Sequence, residues 1–199
     1  MDVDTEVVRA CQRGEAGAMD ALIRASYADV YALAYRLVRD RDEAADVTQE
    51  VFMRVLRSVR GFRGDAAFGT WLHRVTVNAA LSAMRKRSRR PLLGTQALGM
   101  PGQEYGAGLA DTDAGPEERA ERAELLSRAE AAVAALPESA RTVVVLRDVE
   151  GLSTAEVAAL TGLSETAVKV RLFRARERLR AALSDTTVTP LPRTRRASS

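Results

Sequence analysis

The sequence predicts an all-α protein: two small helical domains joined by a flexible linker, the C-terminal one a helix-turn-helix. Three observations carry that prediction. Apolar residues recur at helical spacing over residues 2–90, which contain no proline, and again from Glu117 to about Leu183. Between these blocks, residues 91–116 hold Pro91, Gly94, Gly99, Pro101, Gly102, Gly106, Gly108, Gly115 and Pro116, with Glu104, Asp111 and Asp113 and neither lysine nor arginine, the composition of a flexible acidic linker. β-branched alternation is confined to TVVVL at 142–146, which lies between Pro137, expected in a first helical turn, and Gly151, expected as a helix stop, and therefore reads as a buried helix. The expected organisation is an N-terminal domain over 1–90, a linker over 91–116, a C-terminal domain over 117–183 and a disordered tail over 184–199, whose Ser, Thr, Pro and Arg content has no burial pattern.

Composition narrows the function classes. The chain has 199 residues, 46% hydrophobic and 5% aromatic, with a formal net charge of +3. Cys11 is the only cysteine and His73 the only histidine, which leaves no disulfide framework, no zinc finger and no His/Cys metal site. A hydrolase triad would need His73 to do everything, and without an obvious partner it reads as an ordinary surface or core histidine. No catalytic residue, metal or cofactor is therefore expected. The first residues carry Asp2, Asp4 and Glu6 rather than an apolar stretch, and no run of about 18 uncharged apolar residues occurs, so neither a signal peptide nor membrane insertion is expected and the protein is read as cytoplasmic.

The small net charge hides a segregation. Residues 40–50 hold Asp40, Asp42, Glu43, Asp46 and Glu50 against Arg41 alone. These acids cluster where a helix should begin, leading into Val47, Val51, Phe52, Val55 and Leu56; helix-start electrostatics or a protein-docking face both account for them better than catalysis does. Residues 60–70 then form a glycine-punctuated loop, with Thr70 placed to cap a helix from Trp71 to about Arg89. On that helix Leu72, Val75 and Ala79 form the expected buried side, while Trp71, Arg74, Asn78 and Arg85 form an adjoining stripe. A stacking ring, an amide and cations suit unstacked single-stranded bases. On these residues alone, a core tryptophan beside solvated cations is an equally good reading.

In the second domain Ser153 and Glu156 have capping-box spacing, Val157, Ala158 and Leu160 face inward, Gly162 ends the helix, Leu163 plugs the corner and Ser164 caps the next. That is the pattern of a DNA-binding helix-turn-helix. Val168, Leu172, Ala175 and Leu179 form the inward stripe of the second helix, so Thr166, Lys169, Val170, Phe173 and Arg174 point outward. An exposed Phe and Val among cations suit a major groove better than an idle basic surface.

With those residues placed, the chain from about Val7 to Leu183 resembles a bacterial RNA polymerase sigma factor of the extracytoplasmic-function type, group four. The resemblance is carried, in order, by DEAADVTQEVF at 42–52, FRGDAAFGTWL at 62–72, RVTVN at 74–78, Leu136 with Pro137, and VKVRLFRAR at 168–176. It implies that Asp46, Gln49, Glu50 and Phe52 dock on the clamp helices of the largest subunit of core RNA polymerase. It implies that Phe62, Arg63, Asp65, Trp71, Arg74, Asn78 and Arg85 melt and read the single-stranded −10 element. It further implies that Ser164, Thr166, Lys169, Val170, Arg171, Phe173 and Arg174 read the −35 duplex, near the polymerase flap region. The linker would thread the polymerase channels, and an anti-sigma factor would hold the protein inactive. Val170 departs from the small polar residue frequent there, and the linker is richer in glycine than the family pattern. The rival reading is a stand-alone helix-turn-helix transcriptional regulator, which leaves the segment from Phe62 to Asn78 without a task.

Overall fold

A computed structural model describes residues 3–89 and 115–184; most of the expected linker and the expected tail lie outside the described residues. The described residues fall into two compact units, and no strand occurs among them.

The first unit contains α1 (Thr5–Arg13), α2 (Ala18–Val38), α3 (Arg41–Ser58), a 3-10 turn over Val59–Gly61, and α4 (Phe68–Arg89). Asp40 starts α3 by accepting a hydrogen bond from Glu43 N at 2.8 Å, and Asp42 and Glu43 occupy the first turn, where the helix dipole favours acids. The core is built from Leu22, Val30, Leu33 and Leu37 of α2, Val47, Val51 and Val55 of α3, and Leu72, Val77 and Ala80 of α4. Each fully buried Leu or Val contributes about 1.5 to 3 kcal/mol. Each of these helices also buries one hydroxyl, and each hydroxyl donates to the carbonyl four residues earlier: Ser26 to Leu22 at 2.7 Å, Thr48 to Ala44 at 2.7 Å and Thr76 to Leu72 at 2.9 Å. No buried donor is lost at these positions, so the polar groups cost little.

α4 corrects two expectations. It begins at Phe68, with Trp71 N donating to Ala67 O at 3.1 Å, so Thr70 lies within the first turn and does not cap the helix. Its buried face is wider than the stripe expected from Leu72, Val75 and Ala79, because it packs against both α2 and α3. Thr76, Val77, Ala80 and Met84 are buried, while Val75 is only half-buried. At the far end Arg87 pairs with Glu43 and also reaches Val38 O at 3.4 Å, tying α4 to the corner between α2 and α3.

The second unit contains α5 (Pro116–Ala134), α6 (Glu138–Val144), a π-helical turn over Val145–Val149, α7 (Thr154–Thr161) and α8 (Glu165–Ser184). The stretch at 142–146 is helical and buried. Pro137 stands just before α6 rather than in its first turn, its carbonyl accepting from Arg141 N at 2.9 Å. Beyond α6 the hydrogen bonds widen, with Glu150 N to Val145 O at 2.9 Å and Leu152 N to Leu146 O at 3.0 Å, and Gly151 at φ 71° makes the stop. Arg141, itself buried, donates through Nη1 to Leu136 O at 3.3 Å and Ala134 O at 3.4 Å, fastening the end of α5 to α6.

Candidate nucleic-acid and polymerase interfaces

The loop between the 3-10 turn and α4 surrounds a cavity of about 390 Å³, lined by residues 61–66 with Thr70, Trp71 and Arg74. Its floor is aromatic. Phe68 is buried and holds Phe62 edge-on at 5.4 Å between ring centroids, and Trp71 packs on Phe62 at 5.5 Å and on Phe68 at 5.3 Å. The two readings of Trp71 are thereby combined, because its half-buried ring belongs to an aromatic cluster and also lines the cavity. Arg63 and Asp65 are exposed at the rim, and Gly64 at φ 78° makes the turn between them. Five of the seven residues read from the sequence thus meet at one cavity: Phe62, Arg63, Asp65, Trp71 and Arg74. Asn78 and Arg85 are exposed farther along α4 and do not line it. Asn78 is one helical turn beyond Arg74, on the same side. A concave, partly aromatic space bordered by cations and a carboxylate can accept a flat polar heterocycle.

A second surface lies between α2 and α3, an apolar cavity of about 300 Å³ lined by Met19, Ile23 and Tyr27 on one side and Gln49, Phe52, Met53 and Leu56 on the other. Tyr27 stacks on Phe52 at 6.2 Å and on Tyr31 at 6.3 Å, and Tyr31 stacks on Tyr35 at 6.3 Å. Of the four docking residues read from the sequence, Gln49 and Phe52 line this cavity. Asp46 and Glu50 are exposed elsewhere on α3, where Glu50 accepts from Arg54 at 2.8 Å. Leu56, read as continuing the apolar series of α3, is 53% exposed. Sequence reasoning missed Tyr27, Met53 and Leu56. The available signal was the run Met19, Ile23, Tyr27, Tyr31 and Tyr35, which steps by four along α2 beside the core stripe.

The third surface is α8 with its lead-in helix. Ser153 and Glu156 form the full capping box, with Glu156 N to Ser153 Oγ at 3.2 Å and Ser153 N to Glu156 Oε2 at 2.9 Å. Gly162 turns at φ 73°, and Ser164 Oγ accepts from Ala167 N at 3.1 Å to start α8. Val168, Leu172 and Ala175 are buried and Leu179 half-buried, so Thr166, Lys169, Val170, Phe173 and Arg174 face solvent. Phe173 is 65% exposed. Arg171 is half-buried at the edge of this face, and the hydroxyl of Ser164 is engaged in the cap. Arg176 donates to both oxygens of Asp148, and that hydrogen bonding raises its pKa further above the ordinary arginine value. Among the described residues no group of His, Cys, Asp and Glu is arranged to hold a metal ion, and no helix is long and apolar enough to cross a membrane.

Comparison with known proteins assigns these surfaces to a class. Residues 22–90 match the Sigma-70 region 2 family and residues 126–179 match Sigma-70 region 4, the pair that defines a sigma factor, the promoter-specificity subunit of RNA polymerase. The chain is 36% identical over 184 residues to the RNA polymerase sigma-H factor of Pseudomonas aeruginosa, spanning 90% of this chain and 93% of that one. It is 34% identical over 191 residues to the ECF RNA polymerase sigma-E factor of Escherichia coli K12, spanning 96% of each. Among solved structures, CnrH in complex with the cytosolic domain of CnrY aligns with a TM-score of 0.52 at 26% identity, covering 94% of this chain and all of that one. The sigma factor RpoE from Bartonella quintana, in complex with the anti-sigma factor NepR, shares the fold with a TM-score of 0.56 at 22% identity, covering 84% of this chain and 98% of that one. The chain belongs to the extracytoplasmic-function family of RNA polymerase sigma factors. A stand-alone helix-turn-helix regulator accounts for only the second of the two matched regions and is set aside.

Proposed function

We propose that this sigma factor divides promoter recognition between its two units. The cavity beside Phe62 and Trp71 takes an unstacked base of the −10 element, with Arg63, Asp65 and Arg74 at its border and Asn78 and Arg85 continuing the contact along α4. The outward face of α8, from Thr166 to Arg174, enters the major groove of the −35 duplex. Gln49 and Phe52, together with the apolar surface beside Tyr27, dock on the clamp helices of core polymerase, and Asp46 and Glu50 supply charge around that contact. Residues 1–90 and 117–183 act as the two binding domains, and residues 91–116 as an anionic strand along a basic polymerase channel. The protein contributes specificity and strand opening without bond chemistry, in the cytoplasm where the polymerase works.

The observation that carries this reading is the convergence of Phe62, Arg63, Asp65, Trp71 and Arg74 on one cavity. An anti-sigma factor as a further partner is supported by the RpoE relative, solved with one bound. The test is run-off transcription with purified core polymerase on a promoter library. Promoter-dependent starts are expected only when the chain is added, and binding to duplex DNA without any such start would overturn the proposal.

A further inference from the structure

We propose that Gln12 of α1 is a positioning residue for the −10 loop, fixing the backbone that carries Phe62 and with it the wall of the base cavity. The proposal rests on reading that loop as the −10 site. α1 lies outside the segment that matches region 2, and its contacts point to a task of its own. Val8 and Cys11 are buried and anchor the helix, leaving Gln12 half-buried beside them. The Gln12 amide donates through Nε2 to Phe62 O at 2.7 Å and to Val59 O at 3.3 Å, bridging residues some fifty positions away in sequence. Val59 O also accepts from Phe62 N at 3.1 Å, so one carbonyl serves both the 3-10 turn and the strut.

The reason such a strut is needed is local. α3 ends at Ser58, and its last carbonyls lack partners within the helix. Residues 62–67 have no helical ladder of their own, and most are exposed, so few contacts hold their backbone. Fixing Phe62 at its carbonyl aims its ring at Trp71, and that pair forms the aromatic wall. The close of α1 joins the same arrangement: Arg60 Nη2 sits 3.2 Å from where a Cβ would stand on Gly14, whose φ of 75° already disfavours any side chain.

The test uses holoenzyme assembled from core polymerase and the full chain. Its probe is a fork-junction DNA made from a promoter that the wild-type holoenzyme selects from a random library. Gln12→Leu keeps the volume and removes both donors, whereas Gln12→Lys restores a donor that reaches the same carbonyls. Gln12→Leu is expected to weaken fork-junction binding about tenfold, equivalent to about 1.4 kcal/mol. Affinities for core polymerase and for the −35 duplex stay unchanged, and Gln12→Lys recovers fork-junction binding. In the free protein, acrylamide quenching of Trp71, the only tryptophan, rises in Gln12→Leu and falls back in Gln12→Lys. Unchanged fork-junction binding and quenching overturn the proposal. So does a parallel loss of core affinity, which makes Gln12 a strut of the whole unit. If the wild-type holoenzyme opens no promoter, the −10 reading itself fails, and Trp71 quenching still decides whether Gln12 sets the loop.

Discussion

Arg176 and Asp148 meet through two hydrogen bonds, Nε to Oδ2 at 3.0 Å and Nη2 to Oδ1 at 2.5 Å, joining the middle of α8 to the π-helical turn. The pair is partly solvated, with side-chain exposures of 48% and 28%, so its contribution to stability is about 1 kcal/mol or less. Its larger effect is on the tilt of α8. Asp148→Ala should lower the melting temperature slightly and reduce affinity for a −35 duplex, with single-stranded −10 binding intact. Fluorescence anisotropy on both probes checks this; undiminished duplex affinity would show that the core residues of α8 set its tilt alone.

Two phenylalanines should behave in opposite ways. Phe68 is buried at the root of the aromatic cluster, so Phe68→Ala should destabilise the first unit by about 3 to 5 kcal/mol. Phe173 is mostly exposed on α8, so Phe173→Ala should change stability by less than about 0.5 kcal/mol. The second substitution should nevertheless weaken −35 binding. Denaturant unfolding measures the first difference and duplex titration the second.

Asn78→Ala should impair promoter opening and −10 recognition without loss of core binding, because Asn78 is exposed on α4 and lines neither cavity. Competitive assembly with wild-type protein separates the two effects, and a loss of core affinity would move α4 from the DNA to the polymerase.

On α8, Arg174→Ala should cost about 1 to 3 kcal/mol and relax sequence preference at one −35 position if the guanidinium reads a base. A uniform loss across sequences, with a salt slope reduced by about 1, would assign it to phosphate instead.

Cys11 should be unreactive in the folded protein. Burial raises its pKa above the ordinary thiol value of 9.0, so the folded state holds the proton more tightly than the unfolded chain. That contribution to stability is complete below pH 9.0 and is lost as pH rises through the higher folded value. Maleimide labelling at neutral pH should be slow until denaturant is added. The alkaline loss of stability should be smaller in Cys11→Ala than in wild type. Rapid labelling of the native protein would contradict the buried placement.

Much of this architecture was legible in the sequence because local chemistry specifies it. The capping box at Ser153 and Glu156, the turn at Gly162 and the inward stripe of α8 each depend on residues within two helical turns. The acidic start of α3 is legible for the same reason. What escaped depends on contacts distant in sequence. Phe68 starts α4 three residues early because its ring is needed under Phe62 and Trp71, and no propensity within that segment reports this. Gln12 bonds to a loop nearly fifty residues away, and Leu56 is exposed because α2 supplies the other wall of its groove. The reach of Asn78 and Arg85 was read from helical periodicity, which gives the side of a helix but not how far a cavity extends along it.

The π-helical turn over Val145–Val149 carries a further consequence for how this chain can vary. Such a turn closes its hydrogen bonds over one more residue than the α-helix leading into it. Losing a single codon within it would rotate the following side chains by about 100° about the axis, the step of an ordinary helix. Asp148 would then turn away from Arg176, and Gly151 and Ser153 would reach α7 out of phase. The segment's length is thus inherited information in its own right: exchanges at exposed Val149 are tolerable, whereas an in-frame deletion beside it is a lesion of the reading head.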